Sequence, residues 1–493
     1  MDNTGPPFDL SPDLDRGLLL RIPPHGRAGS CHGLARGAPR KNNSRSGAVN
    51  NFRRIAVAIL SGLLAGCSNP QSPANSTPAL SLAELKQRVS EIRALPFKQE
   101  PDQAGLPAFS SADISDDFGG QALAQIARAY KRVGLLAESV DLTKAMMEFT
   151  RLKRLAVYEA GRDRLVIAPE ATKLGEALAG GRNGDSDQIA PVLAMTRALQ
   201  DQHFRWSERL KGLGSEDRKL AYRALGDGDA LLVALSYLSK TRGPLNWAQA
   251  TMRFAAELER TGAHLPDLLK QELIFPYRDG SQFVQWAFLA KGWSGVNALF
   301  ADPPVSSAQV LHPEKYYIQR QAPLQITPFG LKRQFKESAV FDDTLGEYRI
   351  QILLGSNQPR EEAKQIAAFW TGDHLSAYSD GDGLITTWIS VWNGDQEARD
   401  FQRAFRAILE RRHRVRFDET PGAPDGWKAN LRTGRSMVLQ IRGATVLFLD
   451  GVATARALEV SEEIWKDLEI APESADLPFD AAQKPAQLSL KSR

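Results

Sequence analysis

The kind of hydrophobic repeat changes near residue 300, and that change limits the fold more than any single motif does. Before it, apolar residues recur at helical spacing. Ser81-Leu-Ala-Glu84 is a capping box that opens a helix with Leu82, Leu85, Val89 and Ile92 as its stripe, and Pro96 ends it. Further helices are expected over 119–134, 141–153, 188–206 (with Ser186 as N-cap), 216–240, 246–260 and 281–300. One interruption, 155–167, has two β-rich runs around a Gly-containing turn and predicts a hairpin. After residue 300 the texture mixes. Tyr316-Tyr-Ile-Gln, Leu324-Gln-Ile-Thr and 384–392 predict strands, while 345–354 and 395–413 predict helices. Runs at 414–417, 427–431, 436–441 and 444–449 predict a meander with turns at Thr433-Gly and Arg442-Gly, and a last helix is expected over 453–467. Helices first and mixed strands later predict an α+β protein: a mostly helical unit over 81–300, an α+β unit over 301–471 and a polar tail over 472–493. There is no internal repeat.

The net charge of +4 hides an asymmetry. Of 62 basic and 58 acidic residues, nine and four lie in residues 1–67, which leaves 53 and 54 in the body. The body therefore has no basic excess to suit nucleic acid, and none is expected as a partner. Both cysteines, Cys31 and Cys67, lie in that first segment, so the body can form no internal disulfide.

The leader indicates the compartment. Arg53 and Arg54 precede the apolar run Ile55–Ala65, followed by Gly66 and Cys67. A basic start, a short apolar stretch and small residues before the cleavage point make a secretory signal over 49–67. The run is far shorter than the ~20 apolar residues that span a bilayer. Leu64-Ala-Gly-Cys67 resembles a bacterial lipobox, which implies that Cys67 is the lipidated first residue of the mature chain. Residues 68–80 are a Pro/Ser/Asn tether, and Ser68 at the second position implies sorting to the outer membrane in a double-membraned host, facing the periplasm. Residues 1–48 lack periodicity and are expected to be an over-extended gene start or a leader, with translation beginning at Val49.

One helical segment, Val192-Leu-Ala-Met-Thr-Arg-Ala-Leu-Gln-Asp-Gln-His-Phe204, resembles the H-E-x-x-H-A-L-Q-D-Q segment of a family of bacterial secreted and lipoprotein HExxH metallopeptidase-like proteins. Ala198-Leu-Gln-Asp-Gln202 sets the register. Further similar segments run from end to end, among them Glu91-Ile-Arg-Ala-Leu-Pro-Phe97, Tyr277-Arg-Asp-Gly-Ser-Gln-Phe-Val284, Pro303–Tyr316, Thr344-Leu-Gly-Glu347 and Trp392–Phe401. The resemblance implies a zincin-like fold with a hairpin beside the zinc helix. It also implies a third zinc ligand in a segment like E-G-D-A, matched here by Asp227-Gly-Asp-Ala230.

Residue by residue, that chemistry is missing. A catalytic zinc takes three protein ligands and an open position, and the Glu of HExxH serves as base. Leu193 stands at the first His, Ala194 at the base, Arg197 at the second His and Asp227 at the ligand Glu. Leu cannot coordinate, Ala cannot accept a proton, and Arg only donates. His203, His264, His312, His374 and His413 show no i, i+4 pair to replace them. Instead, Arg197 should bridge Asp227 across the position a metal would occupy, with Leu193 packed beneath, since a carboxylate left without its cation is costly to bury.

Two other motifs are read plainly. Asp380-Gly-Asp-Gly383 lacks EF-hand spacing and reads as a turn. The polar loop His312-Pro-Glu-Lys-Tyr316 could line a cleft through His312, Glu314 and Tyr316, or pack against the helical half. The sequence thus predicts no catalytic residues, no cofactor (zinc being the alternative) and an inactive metallopeptidase-like body that acts in binding or scaffolding, the alternative being an active zinc-dependent metallopeptidase. The expected partners are a membrane, through the lipid, and a protein or peptide.

Overall fold

The computed structural model describes residues 80–104, 123–335, 339–381, 383–420 and 425–472. The leader, the signal segment, Cys67, nearly all of the tether and nearly all of the polar tail lie outside the described residues. What is described is α+β.

The helical part begins with α1 (Leu82–Arg93), capped by Ser81 and Glu84 as the capping box predicts. Strand β1 (Asp102–Ala104), α2 (Leu123–Arg132) and α3 (Leu142–Lys153) follow. The expected hairpin forms as β2 (Ala156–Glu159) and β3 (Arg164–Ile167), antiparallel to each other. β1 adds to it in parallel, giving the order β1-β3-β2. Then come α4 (Ala171–Ala179), α5 (Ile189–Phe204), α6 (Trp206–Lys211), α7 (Glu216–Arg242), α8 (Trp247–Thr261) and α9 (Asp267–Ala301). Ser186 does not cap α5. It starts a separate 3₁₀ turn, and its hydroxyl bonds instead with Asn183. α7 buries residues on every side, so it is a core helix rather than an amphipathic one. α9 is much longer than the sequence predicts. Pro276 lies within it, and it bends at Lys291 and Gly292, where Gly292 takes φ 61°.

The second half contains α10 (Ser307–Leu311), α11 (Pro313–Tyr317), β4 (Leu324–Pro328), α12 (Phe329–Gln334), β5 (Phe341–Asp343), α13 (Gly346–Gly355) and α14 (Arg360–Ala367). Tyr316 was expected in a strand. It lies inside α11 instead, because Pro313 at the first helical position presets the turn. After these come β6 (Trp370–Asp380), β7 (Gly383–Trp392), α15 (Asp395–His413), β8 (Asp418–Glu419), β9 (Gly426–Asn430), β10 (Arg435–Arg442), β11 (Thr445–Ala453), α16 (Ala457–Lys466) and β12 (Leu468–Pro472). The expected strand at 414–417 is not one: Arg414 is the left-handed cap of α15, and pairing starts at Asp418.

A seven-stranded antiparallel sheet takes the order β5-β6-β7-β11-β10-β9-β8. Its two faces alternate residue by residue. Met437, Leu439 and Phe448 meet Phe401 and Phe405 of α15, while Val438, Leu447 and Leu449 join Val460 and Ile464 of α16. Both faces are covered, which is why 384–392 is buried without interruption, Thr386, Thr387 and Ser390 included. One core cluster runs from Leu85 through Leu193 and Leu235 to Trp388 and Phe448, so it draws on both halves of the described chain.

Candidate functional site

α5 and α7 pack along Leu193, Arg197 and Gln200, one helical stripe at i, i+4 and i+7. Leu193 and Ala194 are buried, and Arg197 is 7% exposed. The guanidinium of Arg197 makes three bonds. Nη2 donates to Asp227 Oδ1 at 2.6 Å and to the Tyr277 hydroxyl oxygen at 2.7 Å, and Nη1 donates to the Ala156 carbonyl at 2.6 Å. The bridge expected from the sequence therefore forms, and it ties α5 to α7, α9 and the edge strand β2 at once. Burial works against the charge on Arg197, but Tyr277 and Asp227 outweigh it and hold its pKa above the ordinary value. Burial raises the Tyr277 hydroxyl to about 12 despite the opposing Arg197, so it stays neutral.

The glycines around Asp227 explain why the segment is Gly-Asp-Gly-Asp. A Cβ on Gly226 would lie 2.4 Å from the Trp206 indole nitrogen, and one on Gly228 would lie 2.5 Å from the Gly280 carbonyl oxygen. α7 and α9 thus touch backbone to backbone beside Asp227, and only glycine permits that distance.

Asp229, two residues on, faces a different neighbour. It pairs with Arg93 at 2.9 Å, both side chains being fully buried, and accepts from Gln200 Nε2 at 2.9 Å. Arg93 Nη1 and Nη2 have no hydrogen-bond partner among the described residues; the guanidinium sits 4.8 Å from the Trp293 ring and 5.9 Å from Phe204. The last residue of α1 is thereby pinned to the middle of the helical body.

A third buried network was not apparent in the sequence. Arg349 of α13 donates from Nε to Glu272 at 2.6 Å, and from Nη1 to Asp343 at 3.0 Å and to the Tyr130 oxygen at 2.7 Å. Nearby, both Asp217 oxygens accept from the Ser307 amide at 3.3 and 3.1 Å. Asp373 accepts from the Leu345 and Gly346 amides and from the Trp370 and Trp388 indoles, each at 2.9 Å. Burial pushes Asp343 up to about 7, against the pull of Arg349. Burial likewise lifts Asp217 to about 8, against the Ser307 bonds. A cavity of about 10 Å³, room for one water, lies beside Arg349, Glu216, Glu272 and Arg223. The sequence signal for this network was a charge inside an apolar helical run, at Glu272 and Arg349. Which acid faces which base depends on how distant elements pack.

The loop 312–316 is packed rather than open. His312 Nε2 lies 2.7 Å from Glu347, which is fully buried, and Lys315 bonds the other Glu347 oxygen at 3.2 Å. The buried Tyr316 hydroxyl donates to the Asp302 carbonyl, while Glu314 points outward with half its side chain exposed. Among the described residues, no hydrogen bond joins the loop, the Arg197 pair and the Arg349 network.

The donor set around Arg197 does not fit zinc. Leu193 and Ala194 offer no ligand, and Asp227 already accepts from a guanidinium. His203 is committed elsewhere, its Nε2 donating to the Pro96 carbonyl at 2.7 Å. Among the described residues, no three His, Cys, Asp or Glu side chains converge as a metal shell. The arrangement braces α5, α7 and α9 against one another.

Residues 333–461 are similar to a domain of unknown function, DUF8575. That stretch includes all seven strands of the large sheet together with α13–α15 and leaves the Arg197 pair outside. No curated protein and no solved structure matches the chain.

Proposed function

We propose that the chain is a catalytically inactive relative of zinc metallopeptidases, held at the periplasmic face of the outer membrane by a lipid on Cys67 and acting in binding or scaffolding of a protein or peptide. The observation that carries the reading is the Arg197–Asp227 pair. In the register of the resemblance, a permanently charged donor stands at a ligand position and is bonded to the remaining acid. Ala194, at the position of the general base, supports it further.

Purified protein tests this directly. Metal analysis after dialysis against micromolar zinc should find well under one equivalent, and unstructured peptides should survive incubation with the protein. Stoichiometric zinc with chelator-sensitive cleavage, abolished in Asp227→Asn, would instead establish a working peptidase and end the proposal.

A further inference from the structure

The bend in α9 carries the most exposed apolar side chains of the helical half. Trp286 is 62% exposed and Leu289 is 80% exposed. α11 extends the surface. Tyr317 stacks on Phe283, one turn before Trp286, at 5.5 Å, and its hydroxyl donates to the Phe283 carbonyl at 3.1 Å. Ile318, the next residue, is 79% exposed. Two aliphatic tips and two aromatic rings are therefore exposed on the stretches of α9 and α11 that the Tyr317–Phe283 contact joins. From Gly280 to Ala301 the only charged residue is Lys291, which is exposed. Singly exposed hydrophobes need no explanation, but four exposed together do.

Three observations favour a bilayer surface as the occupant over an aqueous protein partner. Trp and Tyr beside protruding aliphatics are the side chains that settle at the lipid–water boundary, and the exposed Lys291 suits anionic headgroups, the exposed Asp302 being paired with Arg320. Among the described residues no helix is long and apolar enough to cross a membrane, so contact would be a resting one. The chain length also allows it. The 13 residues from Cys67 to Leu80 reach at most ~45 Å. α1 beyond them is ~18 Å long, and its last residue, Arg93, lies 4.8 Å from Trp293, whose ring is 4.7 Å from that of Phe288.

We infer that the surface formed by Trp286, Leu289, Tyr317 and Ile318 rests on the lipid bilayer and sets the orientation of the body at the membrane. This rests on the lipid anchor proposed above. One acyl-bearing residue holds the chain to the membrane but leaves it free to turn, and a second contact removes that freedom.

The test reconstitutes the full lipid-bearing chain into phosphatidylethanolamine–phosphatidylglycerol vesicles containing a phospholipid with an acyl-chain diazirine. After illumination, a tryptic digest is read by mass spectrometry. Adducts are expected on peptides 279–291 and 316–320, and their yield should fall about tenfold in the Leu289→Ser/Ile318→Ser variant. Both sites are exposed, so folding should hold, as an unchanged melting temperature would verify. Adducts absent from both peptides, with an acylated Cys67 peptide in the same digest, would overturn the docking surface and leave the anchor standing. An unacylated Cys67 would refute the anchor, while adducts formed by adding vesicles to that soluble chain would still support the surface. A dimer in detergent that the double variant dissociates would overturn the inference by giving the surface to a second copy.

Discussion

Replacing Arg197 with Met should destabilise the protein by about 3 kcal/mol, and replacing Asp227 as well should restore most of it. Met keeps much of the side-chain volume and removes every donor. Asp227 Oδ1, the Tyr277 oxygen and the Ala156 carbonyl then each lose a bond of 2.6–2.7 Å. Removing one partner of a buried pair costs ~3–5 kcal/mol, because the other charge stays behind. The Asp227 side chain is 15% exposed, so it can regain some hydration, which places the loss at the lower end of that range. In Arg197→Met/Asp227→Leu no charge is stranded, and only the Tyr277 and Ala156 bonds stay unmade, a residual of ~1 kcal/mol. The second replacement thus recovers about 2 kcal/mol. For a body this large, about 2 °C of melting temperature accompanies each kcal/mol, so the single variant should melt about 6 °C lower and the double about 2 °C lower. Scanning calorimetry at pH 7 reads both, and raising salt to 1 M should change little, since the pair is sheltered. A single variant within 1 °C of wild type, or a double variant no better than the single, would refute the bridge as a stabilising element.

Stability should fall as pH rises from about 5 to 8. Asp217, raised to about 8, and Asp343, raised to about 7, hold protons in the folded state that the unfolded chain releases near pH 4, so their contribution is complete below that pH and is lost as pH climbs through their folded values. Melting temperature against pH reads the slope, which Asp217→Asn should flatten; a rise between pH 6 and 8 would contradict the sign. Gly228→Ala drives a methyl against the Gly280 backbone at 2.5 Å and should cost about 2–3 kcal/mol by denaturant melt, whereas Gly355→Ala, with open space around it, should cost nothing measurable. Cys67→Ser should remove the acyl mass from the protein and release it from membranes; an unchanged intact mass would refute lipidation there.

Much of the fold was legible in the sequence because local patterns dictate local structure. The capping box at Ser81, the hairpin at 155–167, the helices at 141–153, 246–260 and 395–413 and the last three strands of the meander all follow from spacing and turn chemistry over a few residues. So did the partnership of Arg197 with Asp227, which needed only the register of two segments and the cost of burying an unpaired acid. Ser186, Tyr316 and 414–417 were misread where a neighbouring residue decided: Asn183 took the Ser186 hydroxyl, Pro313 preset a helical turn, and Arg414 closed α15. The span of α9 across Pro276, the pairing of Arg93 with Asp229 and the assembly of Arg349 with Glu272, Asp343 and Tyr130 join residues up to 219 apart in the chain. Chain sequence marks such residues as charges in apolar surroundings. Only the packing of helices against sheet brings each one to its counter-charge, because the free energy that selects the pair exists once both have been taken out of water.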